Sequence, residues 1–260
     1  MTGPRPIKAI LLLCFFVFVS ACAHSAPWLW NPAATKAAQG VIKRLEDQNR
    51  AVADRRGVGR FRLENANGTL SGRAAWLSVP PYKLRIELLS PFGQPVATIS
   101  GDGDQVAVRW AADGKIHRGN VDGSLTAAIF GMKIPWRILV SSLAFRVWIE
   151  PHSKVYPKFD GERRFDNKVL VIPGGYFNFG QRLFFDQDED FPKRTEYDIA
   201  KNDMLAVEFY GNAGQGESRV VFQGKEGASL TLWPEKLITN QGVKDNPFLL
   251  TLPGEPVKGP

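Results

Sequence analysis

Cysteine is nearly absent from this chain. Of 260 residues only Cys14 and Cys22 are cysteines, and Cys14 lies in a segment expected to be cut away. One remaining cysteine excludes an internal disulfide and a Cys-based metal site in the mature protein. Histidine is as scarce. His24, His117 and His152 stand far apart, without the spacing of a zinc ligand pair. No Gly-x-Ser-x-Gly elbow offers a serine nucleophile. No dense Lys/Arg block or nucleic-acid motif occurs, which argues against a nucleic-acid partner. Asp186, Asp188, Glu189 and Asp190 crowd together but lack the glycine turn of a calcium loop, and read as a solvated hairpin. The longest uninterrupted apolar run, residues 9–19, has eleven residues, whereas a membrane-spanning helix needs about 20. These absences predict a protein that is not an enzyme and needs no cofactor or metal.

That short run fits another purpose. Arg5 and Lys8 precede it, no acid does, and the small residues Ser20 and Ala21 follow, the pattern of a secretory signal. Val19-Ser20-Ala21-Cys22 also matches the bacterial lipobox. The match implies cleavage before Cys22, diacylglycerol on its sulfur and an acyl chain on the new amino terminus. Each buried methylene contributes about 0.8 kcal/mol, so two or more chains hold a protein on a membrane stably. Ala23 follows the cysteine, where Asp would signal inner-membrane retention in enteric bacteria. The expectation is a lipid-anchored protein of the cell outer membrane, facing the periplasm. Trp28 and Trp30 just beyond fit either the headgroup layer or the domain surface. Loss of residues 1–21 lowers the formal charge from +7 to +5, a mild excess suited to anionic lipid or an acidic partner.

The rest divides into a lipidated tether (22–32), one domain (33–240) and a Pro- and Gly-rich tail (241–260). Asn31-Pro32 caps a helix. Ala38, Val41, Ile42, Leu45 and Val52 recur near helical spacing, predicting a helix over residues 33–55 that Gly57 and Gly59 end. Strands follow at 60–64, 69–77, 83–88, 95–100, 105–110 and 115–118, with Asn67-Gly68 as a hairpin signal. Residues 122–130 and 135–143 read as two short helices. Residues 144–167 are unreadable. Six more strands are expected at 168–172, 182–185, 194–198, 204–210, 218–223 and 229–232. The pattern is mainly β, one curved antiparallel sheet with helices across its mouth.

Period-two alternation puts Trp76, Leu84, Ile86, Leu88, Ile99, Val106 and Val108 on one face, together with Leu70, Ala74 and Ala97. A packed core and a ligand cavity both fit that alternation. The small residues Gly72, Ala74 and Ala97 leave room for a cavity.

Two stretches resemble a known family. The first carries Gly59-Arg60-Phe61, Ala74-Ala75-Trp76, Tyr82-Lys83-Leu84-Arg85-Ile86, Ser90-Pro91-Phe92-Gly93, Asp113-Gly114-Lys115 and Phe130-Gly131-Met132-Lys133-Ile134-Pro135. The second carries Glu208-Phe209-Tyr210-Gly211 and Leu230-Thr231-Leu232-Trp233. In order and spacing both resemble LolB, the outer-membrane lipoprotein receptor family. The resemblance implies an incomplete, unclosed antiparallel β-barrel of about eleven strands with an N-terminal helix. It also implies a helical lid, here Phe130, Met132, Ile134, Trp136 and Leu139, over an apolar cavity. A monomer of this kind takes acylated lipoproteins from a periplasmic LolA-like carrier and places their acyl chains in outer-membrane lipid. The matching positions make Phe92, with Pro91 and Gly93, the membrane-insertion loop. Residues 144–180, the lid sequence 141–146 and the tail depart from the family pattern. Those departures leave two other readings open: an envelope lipid- or glycolipid-binding lipoprotein, and a structural scaffold with a filled barrel.

Overall fold

The structure, a computed structural model, describes residues 32–90, 92–152, 155–158, 168–173, 180–186, 189–200, 203–211, 218–243, 247–248 and 250. Cys22, the signal, most of the tether, Trp28, Trp30 and Pro91 lie outside the described residues.

Helix α1 runs Pro32–Arg50. Its apolar stripe is buried as expected, with Ala38, Val41, Ile42 and Leu45 at most 3 % exposed. The helix stops before the expected glycines, and strand β1 (Arg55–Asn65) contains both. The physical reason is close approach. A methyl on Gly57 would run into the Trp76 ring, and one on Gly59 into the Trp233 carbonyl. The glycines make room within a sheet and do not break a helix.

Among the described residues the sheet is antiparallel and has thirteen strands, in keeping with the unclosed barrel of about eleven that the resemblance implies. The first half is β1, β2 (Gly68–Val79), β3 (Lys83–Leu89), β4 (Pro95–Gly101), β5 (Gln105–Trp110) and β6 (Ile116–Asn120). Two helices follow, α2 (Ser124–Phe130) and α3 (Trp136–Leu143). The second half is β7 (Tyr156–Lys158), β8 (Lys168–Ile172), β9 (Gln181–Phe185), β10 (Arg194–Ala200), β11 (Asp203–Tyr210), β12 (Arg219–Gln223) and β13 (Ser229–Thr239). In each half every strand pairs with its neighbour in sequence, and β1 pairs β13 to join the halves. The edges are therefore β6 and β7, the strands that flank the helical insert. They do not pair with each other, so the barrel stays unclosed.

The outward face is held by side chains in register. Glu208 lies opposite Arg194 and ion-pairs with it, and Arg182 and Glu196 are opposed in the same way. Such pairs are partly exposed and contribute little individually. The described part of the tail crosses this face. Arg56 donates to the Gly242 carbonyl, Arg85 to that of Pro247 and Ser100 Oγ to that of Phe248, at 2.7–2.9 Å. Phe248 is consequently 4 % exposed, and the outward-facing Ser100 is 1 % exposed.

Candidate functional site

Alternation in β2 to β5 aims one row of side chains into the concavity. Trp76, Leu84, Ile86, Leu88, Ile99, Val106 and Val108 are all buried there. Phe130, Met132, Ile134, Trp136 and Leu139, from α2, α3 and their connection, are buried in the same apolar cluster. The structure thus brings these two groups of residues together, and among the described residues they pack against one another. The void that remains among Phe61, Leu70, Leu88, Trp110, Ile129 and Leu143 is about 30 Å³. Sites for small molecules span about 300–1,000 Å³.

The small inward residues explain this packing. Gly72 sits against the Phe61 ring, and Gly101 against the Trp136 ring. Room left by the sheet is taken by the protein's own aromatic side chains. Leu70 keeps its inward parity but lies near the open end of β2 and is 52 % exposed. Phe61, Leu63, Leu230 and Leu232 also line the void, and the sequence reading does not place them on the inner face. Alternation within β1 and β13 is the signal that marks them.

Polar atoms clasp the lid to the sheet. Trp76 Nε1 donates to the Leu143 carbonyl at 3.0 Å and Ser78 Oγ to that of Val140 at 2.7 Å. Trp136 Nε1 donates to the Tyr82 carbonyl at 2.7 Å. Beyond α3 the chain is tied to both halves. Asn49 of α1 bonds the Val147 backbone in both directions, and Gln181 of β9 bridges Glu150 N–H and the Trp148 carbonyl. Tyr197 OH also donates to the Trp148 carbonyl.

Glu150 is buried at 4 % exposure and accepts from Trp148 Nε1 at 3.0 Å. Burial pushes its carboxyl above the usual 4.5, outweighing the Trp148 hydrogen bond and the Arg137 charge. A raised carboxyl pKa means the fold prefers the neutral acid. That contribution is fully present below the unfolded value and is lost as pH rises through the folded one. Glu150→Gln keeps an acceptor for Trp148 and cannot ionise. Its melting temperature should exceed that of wild type at pH 8 and converge with it well below pH 4.5, measured by calorimetry.

At the end of β3 the chain makes a tight loop. Ser90 N–H donates to the Gln94 carbonyl at 2.8 Å, and Gly93 N–H to the Ser90 carbonyl at 2.9 Å. Gly93 takes φ +80°, a left-handed conformation that favours glycine. The loop leaves Phe92 93 % exposed. It follows Leu89, and the preceding residue, Leu88, lines the small void. Two of the clustered acids are engaged elsewhere: Asp190 pairs with Arg44 at 3.0 Å and Asp186 with Lys193 at 3.2 Å, while Asp188 lies outside the described residues. Among the described residues no group of three His, Cys, Asp or Glu could hold a metal. No helix there is long and apolar enough to cross a membrane.

Comparison with known proteins agrees with this architecture. The family described as "Outer membrane lipoprotein LolB" matches residues 56–164, from β1 to just beyond β7. No curated protein matches the chain. Among solved structures, a putative outer membrane lipoprotein-sorting protein domain from Vibrio parahaemolyticus is similar at a TM-score of 0.58 and 12 % identity. It matches over 82 % of this chain and 97 % of its own. A DUF1329 family protein from Desulfovibrio piger gives 0.53 and 12 %, over 82 % of this chain and 95 % of its own. A LolA superfamily protein from Nitrosomonas europaea gives 0.51 and 14 %, over 82 % of this chain and 97 % of its own. Identities this low speak for the fold alone. Residues 56–164 are thus similar to the LolB family, and the described residues form an unclosed antiparallel sheet with an N-terminal helix and two further helices, a fold similar to that of the lipoprotein-sorting domain and the LolA superfamily protein.

Proposed function

We propose that this protein is an outer-membrane-anchored lipoprotein that accepts acylated lipoproteins from a LolA-like periplasmic carrier and inserts them into the outer membrane. The family match supports the coarser role, lipoprotein localisation. The observation that carries the finer one is Phe92, 93 % exposed on a tight loop near a void lined by apolar side chains. Burying one phenylalanine contributes about 1.5–3 kcal/mol. An exposed ring on a fixed loop is therefore suited to enter a bilayer while the sheet stays folded.

No bond is made or broken in this reading. Among the described residues α2 and α3 pack on the inner row, and in this reading they move away from the sheet so that acyl chains take their place. The deciding experiment loads labelled lipoprotein on a carrier, adds this protein, and scores uptake and delivery to liposomes separately. Transfer in both steps is the expected result, and no uptake from the carrier would sink the proposal.

A second reading draws on the 30 Å³ void. It is a scaffold lipoprotein whose barrel is permanently filled. An environment-sensitive apolar dye separates the two. Saturable binding displaced by acylated peptide supports transfer, and no binding to folded protein supports the scaffold.

The anchor is proposed at Cys22. Cys22→Ser should abolish fatty-acid labelling and release the protein into the soluble periplasmic fraction. Unchanged labelling in that variant would remove the anchor from Cys22.

A further inference from the structure

The outward face of β1 to β6 carries a row of donors that serve one segment of chain. Arg56, Arg85, Ser100 and Arg118 stand on β1, β3, β4 and β6. They donate to the backbone carbonyls of Gly242, Pro247, Phe248 and Leu250, at 2.8, 2.9, 2.7 and 3.5 Å. The row therefore reads the main chain of a segment that crosses the strands from β1 to the edge strand β6. Two side chains of that segment are anchors. Phe248 is 4 % exposed and Leu250 is 8 % exposed, and residues two apart share one face of an extended chain. The outward-facing Thr98, Ser100 and Ala107 of β4 and β5 are buried as well. Lys83 Nζ stands 6.0 Å from the centre of the Phe248 ring.

Between the Gly242 and Pro247 anchors the match is poor. A cavity of about 370 Å³ lies between Val243, Pro247 and the outward side chains of Val58, Ala75 and Leu77. Ligand sites span about 300–1,000 Å³. Val58 is still 37 % exposed there. Arg85 and Glu87 line the cavity too, but they pair with each other at 2.7 Å. The floor between them and Arg56 is apolar. The sequence between Val243 and Pro247 is Lys244-Asp245-Asn246, which has no apolar side chain to offer that floor. The tail thus suits the groove at its two ends and not in its middle.

We propose that this face is a docking groove for an extended segment of another protein, and that the chain's own tail is a tethered occupant which that segment displaces. The segment carries apolar residues where the tail has Lys244-Asp245-Asn246, then an aromatic residue and, two residues on, an aliphatic one. The four donors bond carbonyls only, so they accept any extended backbone, and side-chain pockets supply the choice of partner. The tail competes from within the same chain, at an effective concentration in about the millimolar range. A partner overcomes that advantage by burying apolar side chains on Val58, Ala75 and Leu77, a contact the tail does not make. The groove lies on the face of the sheet opposite the inner apolar row, so its occupation goes beyond acyl transfer and does not depend on it.

The test is the fluorescence anisotropy of labelled peptides titrated with the purified full-length protein in a non-ionic detergent. One peptide has the sequence of residues 241–252. A second carries Lys244→Val, Asp245→Leu and Asn246→Val in that sequence, and a third is the second one scrambled. The apolar peptide should bind wild type saturably and at least about tenfold more tightly than the unsubstituted one. Adding Phe248→Ser to it should weaken binding by at least about tenfold. Ser100→Ala and Arg85→Met in the protein should each weaken it too. Phe248→Ser in the protein's own tail removes the competitor and should tighten binding of both peptides at least about tenfold. Should that variant fail to fold, Leu250→Ser carries the same test. Binding no better than that of the scrambled peptide, an apolar peptide no tighter than the unsubstituted one, or binding unchanged by Ser100→Ala and Arg85→Met overturns the proposal. Concentration-dependent self-association that Phe248→Ser abolishes also overturns it, and gives the groove to the tail of a second copy.

Discussion

Phe92→Glu should fold like the wild type, take acylated cargo from the carrier, and deliver at most a tenth as much of it to liposomes. The ring is 93 % exposed and the loop is closed by backbone hydrogen bonds of Ser90, Gly93 and Gln94. Substitution there should change stability by no more than about 0.5 kcal/mol. At the membrane the change is larger. The ring's burial, about 1.5–3 kcal/mol, is lost. A carboxylate near hydrocarbon adds a further cost of about 2.5–3.5 kcal/mol at full depth. Even the smaller term alone is about tenfold in an equilibrium. The measurement is the two-step assay, with Phe92→Leu as the conservative control expected to retain delivery. Normal delivery by Phe92→Glu would take the insertion role away from this loop. Lost uptake would place the ring in the cavity or the fold instead.

Local pattern in the sequence carries much of this fold. Strands β5 and β8 fall at their expected bounds, because each is a short β-rich run between polar turns. The inner row of β2 to β5 was readable from period-two alternation, and α1 from the spacing of Ala38, Val41, Ile42 and Leu45. What was not readable depends on distant partners. Gly57 and Gly59 read as a helix stop, and only the neighbouring Trp76 and Trp233 reveal them as sites of close approach. Strand β7 has three residues, one of them proline, too few for any periodicity to show. Gly72, read from sequence as leaving room, lies against the Phe61 ring, and Gly101, which no local pattern marks, lies against the Trp136 ring. The tail's carbonyls find Arg56, Arg85 and Ser100 across more than 140 residues of chain. Nothing local marks those donors as a binding row. The lid clasp is of the same kind, since Trp76 and Ser78 meet α3 over 67 and 62 residues.

Loosening that clasp should make the interior available to an apolar ligand. Ser78→Ala removes one donor to α3, Trp76→Phe removes the other, and the double variant removes both. Each hydrogen bond contributes about 0.5–1.5 kcal/mol to the closed arrangement, and a buried carbonyl left unmade costs about 1–3 kcal/mol. Val140 keeps a backbone partner in the Ala144 N–H, so Ser78→Ala belongs at the lower end of that range. Among the described residues the Leu143 carbonyl has no second donor from a turn or loop backbone, so Trp76→Phe belongs at the upper end. If opening precedes binding, apparent affinity scales with the fraction of open protein. The dye Kd should then fall about two- to fivefold in Ser78→Ala and about tenfold or more in Trp76→Phe, with the double variant lowest. Melting temperature should fall in the same order, by about 2–4 °C for each kcal/mol lost. The pairing of the two readouts is the test. A lid that opens for cargo gives lower stability together with tighter dye binding. A barrel that is permanently filled gives lower stability alone, and that outcome would turn the 30 Å³ interior from a closed state into the protein's final one.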